Sequence, residues 1–265
     1  MTVAIGLWCD DGLVLCTDSQ FTVSGGLKYP ASKIHNMSYG DWSVSLAFSG
    51  SPQLMELVQE KLYPKLLNPE NDSKDEWGEV VCEELETILR DVCKKDRKHS
   101  IELLCATSAR RGSKALLRSR NALVVDAGIG ECIGVGDSSV LRFLSDLFVR
   151  PRMTIIEGVV LACYMVSKAI TYIDGCGGPI QTTVLDDCGH YYELDMSKWG
   201  EPAKLENVEK AVGELFFDLS GNTKTNRLLD ESLSKFRESV STFDWSMTID
   251  FDPKKFRPGK RNDKV

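Results

Sequence analysis

Three residues near the start of the chain have the types and the spacing for amide-bond chemistry: Thr2, Asp18 and Lys33. Thr2 follows Met1 at the head of an apolar, strand-like run, so removing Met1 would leave a hydroxyl and a free α-amine on one residue. A threonine hydroxyl is a poor nucleophile at neutral pH and needs a base. The α-amine, with a reference pKa of about 7.7–8.0, is a base that such a residue carries itself. Asp18 and Lys33 would add a carboxylate and an ammonium. The plainer alternatives are a β-branched residue opening a sheet for Thr2 and a structural ion pair for Asp18 and Lys33.

Strand register brings these residues together. Read as a three-residue hairpin loop, Asp10-Asp11-Gly12 pairs Cys9 with Leu13, Leu7 with Leu15, Ile5 with Thr17 and Ala4 with Asp18. Side chains alternate along a strand, so Thr2, Ala4 and Asp18 then share a face. Thr2 and Asp18 become diagonal neighbours, roughly 7–8 Å apart at the backbone. A two-residue Asp11-Gly12 loop would instead bury the Asp18 carboxylate among Val3 and Leu7, so the first register is expected. A buried carboxylate needs a partner. Lys33, which opens the next apolar strand, can supply it.

The elements that must hold these residues follow in order. Residues 3–9 and 13–17 read as paired strands, and Lys33 to Met37 pairs with Trp42 to Phe48 across Ser38-Tyr39-Gly40-Asp41. Ser51-Pro52 then opens a helix with Leu54, Leu57, Val58 and Leu62 at helical spacing. Ser73 and Glu76 form the capping-box pattern of a second helix, striped by Val80, Val81, Leu85, Ile88, Leu89 and Val92. Strand-like runs return at 101–107, 115–117, 122–125 and 131–135. Asp137 or Ser138 caps a third helix that carries Val140, Phe143, Leu144, Leu147 and Phe148. Thr154 and Glu157 box the start of a fourth, which ends at the glycine-rich 174–178. A last hairpin turns at Asp186–Gly189. Paired helices between groups of antiparallel strands predict layers with helices outside sheets, not alternating βαβ units.

Bulk composition narrows the function classes. The 265 residues carry 42% hydrophobic and 27% charged side chains, an ordinary soluble balance. A net charge of −7 argues against a general nucleic-acid binder. The N-terminus has no secretory-signal pattern, and the apolar run Val159 to Val166 is too short to span a bilayer. Nine scattered cysteines, without a CxxC pair, and three histidines suit reduced thiols in a cytoplasmic protein better than a disulfide framework or a metal site.

The stretches "TVAIGLWCDDGLVLCTDSQ", "SKIHNM" and "LAFSGSPQLMELVQEKL" resemble the proteasome β-subunit group of N-terminal-nucleophile hydrolases, which includes the bacterial self-compartmentalising protease subunits. The likeness covers about residues 2–195 in the family's order, although each motif alone is weak. It implies an α+β fold, a four-layer αββα sandwich of two antiparallel sheets, over residues 1–200. Thr2 falls at the family's nucleophile, Asp18 in its strand-end Asp-Ser pair and Lys33 at its active-site lysine. Gly50 falls at the glycine whose N–H serves as oxyanion donor. "GVGDSSVLRFLSDL" matches the segment that supports the threonine amine, giving Ser138 or Asp137 that role. "TYIDGCGGPIQTTVL" points to Asp174 and Cys176 near the same amine. The chain departs from the family at Val3, which stands where a second threonine is usual, and at Cys176, which stands for serine and is the weaker donor. Asp137 replaces a small polar residue.

The function so implied is an N-terminal threonine endopeptidase working through an acyl-enzyme in a homo-oligomeric ring. It would take peptide or unfolded-protein substrates, have an ATPase unfoldase as a possible partner, and need no cofactor or metal. The alternatives are a non-catalytic ring subunit and an amidase of the same fold acting on small amides. Phe48, before "SGS", and Phe21 are expected to narrow the pocket for the residue preceding the scissile bond; otherwise both are core aromatics. Residues 201–265 form a C-terminal extension with two apolar helical stripes and a basic tail holding six Lys/Arg residues between 254 and 264. The family's short bacterial subunits have no counterpart to it.

Overall fold

The computed structural model describes residues 2–22, 27–67, 76–95, 100–110, 113–134 and 139–194, together with Lys210 and Ser234. The predicted cap residues Ser73, Asp137 and Ser138 lie outside the described residues, and so does nearly all of the C-terminal extension. The elements below belong to the compact unit that contains Met1–Met196.

Twelve strands and four helices are described: β1 (Val3–Cys9), β2 (Gly12–Thr17), β3 (Gln20–Thr22), β4 (Lys28–Pro30), β5 (Ile34–Tyr39), β6 (Trp42–Gly50), α1 (Pro52–Leu66), α2 (Trp77–Lys95), β7 (Ile101–Ala109), β8 (Lys114–Arg120), β9 (Leu123–Asp126), β10 (Gly130–Gly134), α3 (Ser139–Phe148), α4 (Ile155–Tyr172), β11 (Gln181–Asp186) and β12 (Tyr191–Leu194). They make a first sheet in the order β10-β1-β2-β11-β12 and a second in the order β5-β6-β7-β8-β9. A two-stranded ribbon, β3-β4, completes the set. All the pairings are antiparallel. This is a mixed α/β chain built on antiparallel sheets. The ribbon was not expected, because three-residue strands are too short to show a period.

Alternation along the strands sends apolar side chains to both faces of each sheet. Ala4, Leu13, Leu15 and Leu185 of the first sheet meet Ala47, Leu104, Ala106 and Leu116 of the second. On its opposite face, the second sheet offers Val44, Leu46, Phe48 and Leu103 to Leu54 and Val58 of α1 and to Val81, Leu85 and Leu89 of α2. The first sheet is contacted by α4 along β1, β2 and β11. By length and composition alone α4 could cross a membrane; here its buried residues, Val159, Ala162, Met165 and Val166 among them, lie against strands. The Thr154–Glu157 capping box that starts it is complete, with both reciprocal bonds present. At α1 the expected proline stands at the start, but Ser51 bonds the Gln53 side chain and leaves the helix amides uncapped by its hydroxyl.

The β1–β2 register differs from the expected one. Cys9 pairs with Gly12, Leu7 with Val14, Ile5 with Cys16 and Ala4 with Thr17, so the loop is the two residues Asp10-Asp11. Gly12 serves close approach: β2 also pairs with β11, and a Cβ at Gly12 would run into the Leu185 carbonyl. The two loop acids are tolerated because the loop's polar groups find partners from afar. Lys114 Nζ donates to the Cys9 and Asp10 carbonyls at 2.9 and 2.8 Å, and the Ile155 N–H donates to Asp11 Oδ1 at 2.7 Å. Asp18 follows the end of β2, so strand alternation no longer dictates where its carboxylate points.

Candidate active site

The candidate residues meet at the end of the two sheets where β1 begins and β2 and β6 finish. Asp18 leaves β2 next to Val3. Its Oδ1 accepts from the Val3 N–H at 3.0 Å and from Lys33 Nζ at 2.9 Å. Its Oδ2 accepts from the Gly177 N–H at 3.1 Å and the Gln20 N–H at 3.3 Å. Four donors match the acceptor capacity of an ionised carboxylate. A side chain of 0% exposure needs that full set of partners. Thr17 closes the strand end, its hydroxyl lying 2.7 Å from the Val3 carbonyl oxygen and 3.0 Å from that of Asp18.

Lys33 stands just before β5 and ties the two sheets. Its backbone N–H donates to Gln181 Oε1 at 2.8 Å, and its carbonyl accepts from the Phe48 N–H at 3.3 Å. Its side chain is also 0% exposed, with Nζ 5.1 Å from the Phe21 ring centroid. Burial draws the Lys33 pKa below the usual lysine value, and the attraction of Asp18 opposes that shift.

Thr2, 5% exposed, immediately precedes the Val3 amide that shares Asp18 Oδ1 with the Lys33 ammonium. Its carbonyl lies against Gly134, whose other neighbour is the Ser49 side chain, so the end of β6 reaches Thr2 from the second sheet. Gly50 is the last residue of β6, opposite Ile101, with φ 123°. Cys176, 8% exposed, comes under the influence of the same ion pair. Burial first, and the Asp18 charge second, push its thiol up to about 11, with Lys33 pulling partly the other way. The thiol is therefore neutral at physiological pH and is no nucleophile as it stands.

The remaining expected residues are placed as follows. Asp174 lies exposed on the turn that follows α4, and it is the Gly177 N–H, three residues on, that enters the site. Ser138 and Asp137 lie outside the described residues. Phe48 is 2% exposed, its ring in the core beneath α1 and α2. Phe21 is half-buried, 6.0 Å from Phe48 and stacked at 5.9 Å on Tyr29 of the ribbon. Two contributors were not anticipated: the Gln20 and Gly177 amides. Three glycines within "GCGG", more than a helix stop requires, were the one available signal, for Gly177.

A buried ion pair bonded to the amide that follows Thr2 sets a fixed electrostatic field beside that residue. No family model matches the chain, and no curated protein matches it. Its fold is similar to solved structures of Anbu proteins. A Gly-1 mutant of Anbu from Hyphomicrobium sp. strain MC1 superposes with a TM-score of 0.71 at 13% identity, over 85% of this chain and 100% of that one. Anbu, "ancestral beta-subunit", from Yersinia bercovieri gives 0.69 at 14% identity, over 84% and 99%. The Anbu complex from Pseudomonas aeruginosa, solved as a helical assembly, gives 0.67 at 12% identity, over 84% and 99%. These similarities correct the resemblance drawn from the sequence motifs. The relatives just named are Anbu proteins, proteasome-like yet distinct from the proteasome β-subunit group. Each motif is only a few residues long, and at 12–14% identity such short matches do not separate one family of a shared fold from another.

Proposed function

We propose that this chain is a self-assembling N-terminal-nucleophile hydrolase that cleaves amide bonds in peptides, with Thr2 as nucleophile once Met1 is removed. Its two sheets and flanking helices would form the four layers of an αββα sandwich. Thr2 Oγ1 attacks the scissile carbonyl carbon while its proton passes to the Thr2 α-amine. The Gly50 N–H faces the oxyanion. Collapse of the tetrahedral intermediate breaks the C–N bond, and the proton goes to the leaving amine. Water, deprotonated by the same amine, then hydrolyses the ester and restores Thr2. The observation that carries this reading is the fully buried Asp18–Lys33 pair bonded to the Val3 amide. Such a pair adds little to stability, because desolvation offsets the attraction. At a sheet end beside a threonine, it is better accounted for by chemistry.

Assembly into a homo-oligomer and a cytoplasmic location belong to the same proposal. So do peptide or unfolded-protein substrates, an ATPase unfoldase as partner, and the division at residue 200. A second reading, a non-catalytic assembly subunit, is favoured by the exposure of Asp174 on its turn, where the sequence resemblance expects a residue beside the amine. Intact mass after treatment with a hydroxyl-acylating peptide probe separates the two. The proposal expects one acyl group on a chain lacking Met1, and none on Thr2→Ala. An unlabelled wild-type chain that also leaves peptide reporters uncut would leave the subunit reading standing.

A further inference from the structure

Resting on that reading of Thr2, we propose that Glu102 is a positioning residue, which holds the Thr2 backbone in register with the end of β6. The nucleophile and the oxyanion donor stand on different sheets: Thr2 at the head of β1, Gly50 at the end of β6. Their separation therefore depends on how the two sheets are locked at this end. Glu102, on β7, pairs with Ser49 of β6 on one side and with Arg120 of β8 on the other. Its carboxylate leaves the second sheet for the first. Oε2 accepts from the Gly134 N–H at 2.9 Å, while Oε1 meets Arg120 Nε at 3.2 Å.

Gly134 is the receiving point because it is wedged in place. It ends β10 opposite Val3, with φ 70°, and a Cβ there would strike the Thr2 carbonyl oxygen and lie 2.8 Å from Ser49 Oγ. The Glu102–Gly134 bond thus fixes a residue that touches Thr2 on one side and the strand of Gly50 on the other. A hydrogen bond to an ionised acceptor is a strong one. Glu102 is largely buried while Arg120 is mostly exposed, so Arg120 steadies the carboxylate from the rim. Glu102 touches no reacting atom in this arrangement; it acts through Gly134.

Steady-state hydrolysis of a peptide reporter by the full-length protein, with acylation of Thr2 followed by intact mass, tests this. Glu102→Ala is expected to lower kcat about 10–100-fold, as small misplacements of a reacting group do, with KM within about twofold. Glu102→Gln, which keeps an acceptor for the Gly134 amide, is expected to recover most of the rate. Arg120→Ala, an exposed change that leaves folding intact, is expected to cost about threefold in kcat and to speed hydrogen exchange at the Gly134 amide. It carries the test if Glu102→Ala does not fold. Wild-type kcat in folded Glu102→Ala would overturn the proposal while Thr2 stands, as would a folded Glu102→Gln no better than the alanine variant. So would Arg120→Ala with unchanged kcat and unchanged exchange at Gly134. A wild-type chain that neither cuts the reporter nor takes the probe overturns the Thr2 reading first, and this proposal with it.

Discussion

At the scale of the residue, Lys33 and Asp18 have two roles that substitution can separate. Removing the ammonium alone leaves an unpaired charge in a site closed to solvent. Lys33→Met is therefore expected to lower stability by about 3–5 kcal/mol in urea unfolding. Pairing it with Asp18→Asn removes the stranded charge, so the double variant is expected to regain part of that loss. It is not expected to regain hydrolysis, because the field at the Thr2 amine is gone. A double variant with wild-type reporter turnover would mean that the pair is structural only. Thr2→Ala is a simpler case. It removes the proposed nucleophile's hydroxyl and one methyl group, so activity should vanish while the unfolding midpoint and the assembly stay put, as urea titration and light scattering would show.

At the scale of the element, α4 packs along β1 and β2, yet its cap and the hairpin turn can be perturbed separately. The Thr154 hydroxyl caps the Glu157 amide. Thr154→Ala should cost about 1 kcal/mol, a typical cap loss, measured as a lower denaturation midpoint with an unchanged m-value. Gly12 is a stricter position, because a side chain there meets the backbone of β11 and the Ile155 side chain. Backbone cannot retreat as a flexible side chain can, so Gly12→Ala is expected to cost roughly 3 kcal/mol or more. If both variants cost the same small amount, the hairpin is not held as tightly between α4 and β11 as its register implies.

At the scale of the whole molecule, buried thiols set the alkaline limit. None of the nine cysteines is in a disulfide. Burial raises Cys9 to about 12 and Cys176 to about 11, and it raises Cys16 and Cys105 as well. Each has a folded pKa above its unfolded value of 9.0. The stability each contributes is thus fully present below about pH 9 and is lost as pH rises toward the folded value. Lys33, lowered by burial from 10.5, has the opposite sign: the unfolded chain binds its proton more tightly, so stability rises with pH up to about 10.5. Four thiols outweigh one lysine. The urea midpoint should fall between pH 9 and 11, more steeply than the roughly 1.4 kcal/mol per pH unit of a single group. A flat or rising midpoint would contradict the thiol burial. The C-terminal extension belongs to this scale too. Its stripes, Leu205, Val208, Val212, Leu215 and Phe216 and then Leu228, Leu229, Leu233 and Phe236, are proposed to cover a neighbouring subunit. Deleting residues 201–265 should then lower the mass of the assembly in light scattering, with residues 1–200 still folded.

Local signals in the sequence determined much of the frame: the Thr154–Glu157 box, the turn at Gly40, the order of strands and helices, and the need of a buried Asp18 for a cation such as Lys33. These are free energies set within a few residues, or by charge alone, so residue types reveal them. Only the tertiary structure decided the β1–β2 register, because Gly12 is required by β11, which lies some 170 residues further along the chain. It also decided that Asp174 stays on the surface while the Gly177 amide reaches Asp18, and that Glu102 crosses between sheets to Gly134. In both cases the donor is a backbone N–H. Every residue but proline carries one, so no residue type marks it, and only the folding of distant strands shows which amide is used.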